Sequence, residues 1–193
     1  MQRRIYIREY FLKTERLSFS IWDSDDIKYA NSLWGDENVT KFIVANGKMS
    51  INQIQNRLDK EIEMYLQNNI QYWPVFLLQT NEHVGCCGVR PYNTQDKILE
   101  FGIHLKPLYW GQGIAQEAAQ AVIDYSFNNI PINGLFAGHN PKNKDSARLL
   151  KKLGFKYTHE EFYKPTGLQH PSYLLKKIIA AANFALFPII RVM

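Results

Sequence analysis

A glycine-rich turn is the segment of this sequence whose residues are best suited to bind a ligand. Tyr109-Trp-Gly-Gln-Gly-Ile-Ala-Gln-Glu-Ala118 stands between an apolar run and a segment with helical periodicity. Glycines allow the backbone to approach a ligand closely, and the free N–H groups in the first turn of a helix attract an anion. The expected ligand is therefore a phosphate or a pyrophosphate.

Two common phosphate-binding motifs fit this turn poorly. A P-loop requires Gly-x-x-x-x-Gly-Lys-Ser/Thr, which this sequence lacks. A dinucleotide fingerprint requires a third small residue where this chain has Gln116, and an acidic residue at the end of the next strand, which here ends at Gly138-His139. A plain tight turn is the remaining interpretation of an isolated Gly-x-Gly.

Glu100, Asn143 and Ser146 are the other residues suited to chemistry. Glu100 lies within an otherwise apolar strand segment, so its carboxylate must face solvent or a cleft. Asn143 and Ser146 stand at the start of a predicted helix, where capping of the helix by both residues accounts for their types.

The cysteines and histidines predict no disulfide and no metal site. Cys86 and Cys87 are adjacent in an apolar strand, as expected of buried small residues in a reducing compartment. Four histidines have spacings unlike those of metal ligands, and they are His83, His139, His159 and His170.

The periodicity places these residues on a mixed sheet covered by helices, an α+β (mixed α/β) fold. Strands are predicted at Leu17–Trp22, Tyr72–Gln79, Val84–Tyr92, Ile98–Leu105, Leu135–His139, Phe155–Phe162 and near Tyr173. Helices are predicted from Asp23 to Trp34, from Ser50 to about Asn68, from Ile114 to Phe127 and from Ser146 to Leu153.

Charge and hydropathy exclude several classes of protein. The 23 Lys and Arg against 18 Asp and Glu give a net charge of +5, which suits an anionic ligand, but no nucleic-acid-binding motif is present. The N-terminus lacks an apolar signal core, and no apolar run is long enough to span a membrane, so a soluble cytoplasmic protein is expected. The apolar tail Ile178–Met193 contains Pro188, and we expect it to pack on its own domain or on a second subunit of a homodimer.

Six stretches, in this order, resemble the GNAT acetyltransferases, specifically the branch similar to the ribosomal-protein N-terminal acetyltransferases RimJ and RimL. They are Thr14-Glu-Arg-Leu17, Gly35-Asp-Glu-Asn-Val39, Val84-Gly-Cys-Cys-Gly-Val-Arg90, Leu99-Glu-Phe-Gly-Ile-His-Leu105, the glycine-rich turn, and Gly138-His-Asn-Pro-Lys-Asn-Lys-Asp-Ser-Ala-Arg-Leu-Leu-Lys-Lys-Leu-Gly-Phe155. The resemblance implies one GNAT domain over residues 1–177, followed by the tail 178–193. It implies a mostly antiparallel central sheet with one splayed parallel strand pair and helices on both faces.

The resemblance also implies where acetyl-CoA would bind. Its pantetheine arm would lie between the two parallel strands and pair with the backbone of Ile103, His104 and Leu105, while Asn143 would contact it through its side chain. The pyrophosphate would bind the turn formed by Trp110, Gly111, Gln112, Gly113, Ile114 and Ala115. Trp110 replaces the family's usual Gln or Arg, so the backbone would bind the phosphates without a side-chain cation. No metal is implied.

Two catalytic roles follow from the same resemblance. Glu100 would act as a base through water, and Ser146 would lie near the thioester sulfur and protonate the leaving thiolate. Many GNAT enzymes use a Tyr where this chain has Leu150, so that general acid is missing. N–H groups of the strand near His104 would stabilise the oxyanion.

The implied activity is transfer of acetyl from acetyl-CoA to a primary amine by direct attack. An α-amine has a pKa near 8 and a lysine one near 10.4, which favours the N-terminal α-amine of a protein such as a ribosomal protein. Two alternatives stay open: an N-acetyltransferase acting on an antibiotic, a polyamine or an amino acid, and a module that binds acyl-CoA without turnover. Acceptor choice is expected to depend on the region from Trp34 to Asn69. No nucleic-acid partner is expected.

Overall fold

The computed structural model describes residues 8–178. Within this range, eight strands form one sheet, and they are β1 (Leu12–Lys13), β2 (Leu17–Phe19), β3 (Tyr72–Leu77), β4 (His83–Asn93), β5 (Ile98–Leu105), β6 (Gly134–Gly138), β7 (Lys156–Tyr163) and β8 (Leu168–Lys176). The α-helices are α1 (Ile27–Trp34), α2 (Glu37–Thr40), α3 (Ile51–Asn68), α4 (Ile114–Asn129) and α5 (Lys144–Lys152). Short 3₁₀ turns occupy Ser24–Asp26 and Pro107–Tyr109.

The strand order across the sheet is β1-β2-β3-β4-β5-β6-β8-β7. In the described part of the chain, β5 and β6 are the one parallel pair, and all other neighbours are antiparallel. This confirms the predicted mixed, mostly antiparallel sheet.

The parallel pair separates after three residues. Ile98 pairs with Gly134, Leu99 with Leu135 and Glu100 with Phe136. Strand β5 continues to Leu105 and remains paired with β4 on its other side. The predicted splay is confirmed, and it leaves the edge of β5 beyond Glu100 without a strand partner in the described range.

Two apolar clusters cover the two faces of the sheet. One contains residues of α4 and α5, including Ile114, Ala118 and Leu150, and the other contains residues of α1 and α3, including Leu33 and Leu58. The predicted helices on both faces are therefore confirmed.

The adjacent cysteines of β4 contribute one side chain to each of the two apolar clusters. Cys87 belongs to the first cluster and Cys86 to the second, and both side chains are fully buried. Successive side chains of a strand point to opposite faces, so each thiol fills a different core. Their predicted burial is confirmed.

Helix α3 begins with the capping box predicted from the sequence. The Ser50 hydroxyl accepts a hydrogen bond from the Gln53 N–H at 3.3 Å, and Gln53 Oε1 accepts one from the Ser50 N–H at 2.8 Å. The helix ends at Asn68, and its C-cap residue Asn69 has a left-handed φ of 56°. Such a conformation is tolerated by Asn better than by most residues and stops the helix.

The first part of the chain differs from the prediction in three places. The strand expected over Leu17–Trp22 ends at Phe19. The Trp22 N–H donates to Oε1 of the Gln71 side chain at 2.9 Å and not to the backbone of a neighbouring strand. Strand β1 and helix α2, of two and four residues, were not predicted, since segments this short carry no readable period.

The predicted packing of the tail Ile178–Met193 concerns residues that lie outside the described range, except Ile178. Among residues 8–178, no helix combines the length and apolar character needed to cross a bilayer.

Candidate active site

The glycine-rich turn forms an open helix N-terminus. Gly111 and Gly113 have φ values of 71° and 77°, a backbone conformation that favours glycine. Gly113 is the N-cap of α4, and no side chain caps that helix. The first N–H groups of α4, at Ile114 and Ala115, are of the kind that lacks a partner within a helix. The turn therefore offers backbone donors to an anion.

Thr14 and Arg16, which lie between β1 and β2, hold this turn in place through side-chain hydrogen bonds. Arg16 donates to the Gln112 carbonyl at 3.0 Å through Nη1 and to Glu117 Oε2 at 2.6 Å through Nε. Thr14 Oγ1 donates to Glu117 Oε1 at 2.6 Å. Burial alone would raise the pKa of Glu117, but these hydrogen bonds outweigh it and hold that pKa below its usual value. Sequence reasoning included Thr14 and Arg16 in a matching stretch but did not assign Glu117 a role.

A cleft of about 970 Å³ opens at the splay of β5 and β6. It brings together ten of the twelve residues singled out in the sequence: Glu100, Ile103, His104, Leu105, Trp110, Gly111, Gly113, Ala115, Asn143 and Ser146. Gln112 and Ile114 are not among its lining residues. The Gln112 side chain instead donates to the Leu108 carbonyl at 2.6 Å, and Ile114 is buried in the apolar core. Their expected part in the site would therefore come from their backbone N–H groups.

Trp110 lies at the rim of the cleft, between the turn and the end of β5. Its Nε1 donates to the Leu105 carbonyl at 2.9 Å, and its ring remains half exposed. A side chain held this way links the two segments that would bind the pantetheine arm and the pyrophosphate.

His104 is held as a neutral imidazole. Burial lowers its pKa well below the usual value, and the nearby Arg57 and Arg90 lower it further. Trp34 Nε1 donates to His104 Nδ1 at 3.2 Å, which places the ring proton on Nε2. The side chain therefore holds β5 in place through Trp34 without adding a charge to the cleft.

Glu100 accepts a hydrogen bond from the hydroxyl of Tyr72 at 3.1 Å. Burial, and then the neighbouring carboxylate of Glu100, raise the pKa of Tyr72 well above its usual value, so the phenol stays protonated and remains a donor. The ring fits here because residue 102 is glycine: a Cβ on Gly102 would lie 2.3 Å from the Tyr72 ring. A glycine inside a strand is a signal of such close approach, but the sequence alone does not say which ring approaches it.

Behind Tyr72 lies a buried carboxylate, Glu61, with two arginines. Glu61 is fully buried and forms ion pairs with Arg57 at 3.0 Å and with Arg90, and it accepts from the Tyr72 N–H at 3.0 Å. The guanidinium of Arg90 lies over the Tyr72 ring, 4.2 Å from its centroid. Sequence reasoning missed this cluster, although Glu61 follows Ile54 and Leu58 at helical spacing and so marked a charge on the buried face of α3.

Asn143 and Ser146 form one cap and not two. The Asn143 side chain accepts from the backbone N–H of Ser146 at 3.1 Å, as an N-cap does. The expectation that both side chains cap α5 is therefore wrong for Ser146, which contributes its backbone. Its hydroxyl makes no hydrogen bond with another side chain or backbone group of residues 8–178, and Ser146 lines the cleft.

Four further residues form the side of the cleft opposite the turn, and sequence reasoning did not single them out: Tyr92, Phe136, Glu161 and Tyr163. The rings of Tyr92 and Phe136 stack in parallel with centroids 3.9 Å apart. The Tyr92 hydroxyl donates to Glu161 Oε2 at 3.2 Å. The turn after α2 adds Lys41, Phe42 and Ile43 to the lining of the cleft, and these residues lie in the region expected to govern acceptor choice.

Comparison with known families identifies the chain. A model of the acetyltransferase (GNAT) domain matches residues 16–156, well over half of the sequence. The chain belongs to the GNAT family. This membership and the N-acetyltransferase relatives make it an N-acetyltransferase that uses acetyl-CoA.

Individual GNAT proteins resemble the chain at modest identity. An uncharacterized N-acetyltransferase, p20, from Bacillus licheniformis is 28% identical over 144 residues, which are 75% of this chain and 81% of that protein. The structure of a RimL ribosomal alpha-N-protein acetyltransferase in complex with coenzyme A shares 14% identity with a TM-score of 0.74, covering 87% of this chain and 98% of that one.

A spermidine N-acetyltransferase from Vibrio cholerae in complex with CoA and spermine has a similar fold. It shares 17% identity with a TM-score of 0.70, covering 84% of this chain and 96% of that one. At these identities the two structures establish the GNAT fold, and the acceptor of this GNAT protein must be argued from its own cleft.

Proposed function

We propose that this enzyme acetylates a primary amine and that its acceptor is the N-terminal α-amine of a protein, such as a ribosomal protein. The observation that carries the proposal is the position of Glu100, which lines the cleft where β5 and β6 separate and whose contact there is a neutral phenol. A carboxylate in this setting can receive a proton.

The cleft supports acetyl-CoA as the co-substrate. Its two ends match the two ends of that molecule: a free strand edge on β5 suits the amide-containing pantetheine arm, and the N-terminus of α4 suits the pyrophosphate. Asn143 also lines this cleft. In this proposal Ile103, His104 and Leu105 hold the arm, and the backbone from Gly111 to Ala115 holds the phosphates.

The chemistry is a direct transfer. Glu100 accepts the ammonium proton through a water molecule, and the neutral amine attacks the thioester carbonyl. Backbone N–H groups of β5 near His104 stabilise the oxyanion, and the tetrahedral intermediate then expels the thiolate. The nitrogen then loses its second proton, and Ser146 or water relays a proton to the thiolate, so that the products are the acetylated amine, the free thiol and the proton that Glu100 accepted.

Polyamines are the second candidate acceptors. Two carboxylates, those of Glu100 and Glu161, line the cleft together with the open rings of Tyr92 and Tyr163. Such a surface suits a small molecule with several ammonium groups as well as it suits a peptide N-terminus.

Two free, buried cysteines fit a reducing compartment, which supports a cytoplasmic location. The proposed homodimer depends on the tail and stays a prediction, which a sedimentation comparison of the full chain with a chain truncated after Lys177 would test.

The deciding experiment measures release of free thiol from acetyl-CoA with a panel of N-terminal peptides, polyamines, amino acids and aminoglycosides. The expected result is release with peptides whose α-amine is free and none when that amine is blocked. Release with polyamines alone would favour the second candidate. Acetyl-CoA binding with no release for any amine would contradict catalysis and favour a binding module.

A matched pair of variants tests the phosphate site. Gly113→Val introduces a side chain beside the first N–H groups of α4, and Gly167→Val introduces the same strain at a φ of 67° in the turn between β7 and β8. The thermal stabilisation by acetyl-CoA should vanish in the first variant and persist in the second. Equal stabilisation of both variants would mean that the phosphates bind elsewhere.

A further inference from the structure

We propose that the acceptor carries a second positive charge beyond the reacting amine and that Glu161 binds it, which makes Glu161 the residue that selects dicationic acceptors. This inference rests on the proposed function, since it concerns the amine side of the same cleft. Four side chains carry it: Glu100, Glu161, Tyr92 and Tyr163.

The sheet face itself brings the two carboxylates to the same side. Glu100 is the register partner of Phe136 on β6, and Glu161 is the partner of His170 on β8. All four of these residues line the cleft. Glu160, the neighbour of Glu161, belongs to the opposite face of β7, because successive strand residues alternate, and its side chain instead accepts from the Tyr157 hydroxyl at 3.4 Å.

Tyr92 contacts one of the two carboxylates, Glu161, and stacks on Phe136, the register partner of the other, Glu100. Partial burial raises its pKa above the usual value, and the charge of Glu161, the hydrogen bond to Glu161 and then the charge of Glu100 raise it further. Both carboxylates therefore act on the same hydroxyl. The ring is fixed by stacking on Phe136, so its hydroxyl holds Glu161 in one orientation at 3.2 Å.

The two carboxylates on this sheet face can bind a cation. Arg57 and Arg90 share the buried Glu61, so that cluster carries a net charge of +1, while Glu100 and Glu161 together carry −2. The other cationic residues of the cleft lining lie on other elements: Lys41 follows α2, and Lys142, Lys144 and Arg148 lie in α5 or just before it. None of the ion pairs among residues 8–178 includes Glu161, whose side chain accepts its hydrogen bond from the hydroxyl of Tyr92.

The exposed rings favour an organic cation over a metal ion. Tyr92 and Tyr163 are 42% and 41% exposed and line the cleft. An ammonium or guanidinium group gains from contact with such rings in addition to the carboxylate. The shared chemistry is a second ammonium or guanidinium group, which either a diamine or a basic residue near a peptide N-terminus can supply.

Two matched pairs of probes test the inference. The first pair is 1,4-diaminobutane and butylamine, and the second is a peptide that begins Ser-Lys and the same peptide with norleucine in place of the lysine. Each pair differs by one positive charge. The quantity measured is the ratio of kcat/KM within a pair, for the wild type, for Glu161→Gln and for Glu160→Gln.

The wild type should prefer the dication in at least one pair, and that pair identifies whether a diamine or a basic peptide is the source. Glu161→Gln should reduce the preference about ten-fold, the equivalent of about 1.4 kcal/mol, while Glu160→Gln should keep it. A wild-type ratio near one in both pairs, or an equal loss in the two variants, would overturn the inference.

A binding measurement separates this inference from the proposed function. Calorimetric titration of the dicationic probes into each protein in the presence of coenzyme A requires no turnover. Binding that depends on Glu161 without any thiol release would uphold the inference and contradict the proposed function. Thiol release, together with equal binding by the wild type and by Glu161→Gln, would uphold the proposed function and contradict this inference.

Discussion

At the scale of single residues, the carboxylates near the cleft differ in what holds them. Glu61 is fully buried and pairs with two arginines, so its contacts serve the structure. Glu100 accepts from the neutral Tyr72, and it lines the cleft. A substrate bound in the cleft can therefore reach Glu100 but not the buried Glu61.

Replacing Glu100 should separate catalysis from binding. Glu100→Gln should lower kcat/KM at pH 7 about 100-fold, the usual contribution of a general base. The loss should shrink as pH rises past about 8, where an α-amine loses its proton unaided. Steady-state pH profiles for the variant and the wild type would show this convergence.

The dissociation constant for acetyl-CoA is the internal control for that variant, and it should not change. A parallel loss at every pH would assign Glu100 a role in positioning the acceptor, and unchanged turnover would remove it from the mechanism.

The helix α5 cap gives a second pair of expectations. Asn143→Ala should lower the free energy of unfolding by about 0.5 to 2 kcal/mol, because the side-chain acceptor of the cap is lost. Ser146→Ala should change it by less than about 0.5 kcal/mol, since alanine keeps the backbone N–H that makes the bond. Urea denaturation of both variants would check this, and a large loss for Ser146→Ala would contradict the cap geometry.

At the scale of elements, the sequence predicted most clearly the segments with local signals. The capping box of Ser50 and Gln53 and the terminal Gly154, whose φ is 87°, both act through neighbouring residues, so they are readable without the fold. The contact of Tyr72 with Glu100 depends on the register of three strands. No local pattern encodes that register, and this is why the sheet face beside Glu100 escaped prediction while Glu100 itself did not.

Strand β5 provides the test at this scale. Gly102→Ala should cost about 1 to 3 kcal/mol in unfolding free energy, because the new Cβ would overlap the Tyr72 ring. It should also reduce activity, since displacement of the ring breaks the hydrogen bond to Glu100. Gly138→Ala, where the nearest atom would be 3.6 Å away, should cost clearly less stability. Denaturation and thiol-release assays on the two variants would decide.

At the scale of the whole molecule, buried histidines make stability depend on pH. Burial lowers the pKa of His83 to about 3, and Lys106 adds to this shift. His83 packs among aromatic rings, with Tyr29 at 5.0 Å between centroids. The unfolded chain binds its proton near pH 6.5 and the folded chain does not, so stability falls as pH drops from about 6.5 toward 3.

This dependence can be measured and removed. Between pH 7 and pH 5 the wild type should lose up to about 1.4 kcal/mol per pH unit from His83 below its unfolded pKa. His83→Phe should flatten the curve, although His104 and His170, whose pKa values burial also lowers, keep part of the slope. Urea unfolding at several pH values would test it, and parallel curves for variant and wild type would show that His83 is protonated in the fold.

Because β5 and β6 separate early, backbone groups of β5 without a strand partner lie in the middle of the sheet. The middle of a sheet is usually the part whose hydrogen bonds are most resistant to opening. Amide hydrogens of residues 101–105 that face the gap should exchange with deuterium faster than those facing β4. At a hundred-fold excess of acetyl-CoA over its dissociation constant, their exchange should slow about 100-fold, since about 2.7 kcal/mol then opposes opening. Acetyl-CoA bound as proposed would supply the strand partner that β5 lacks beyond Glu100, and it would couple opening on the two sides of the gap.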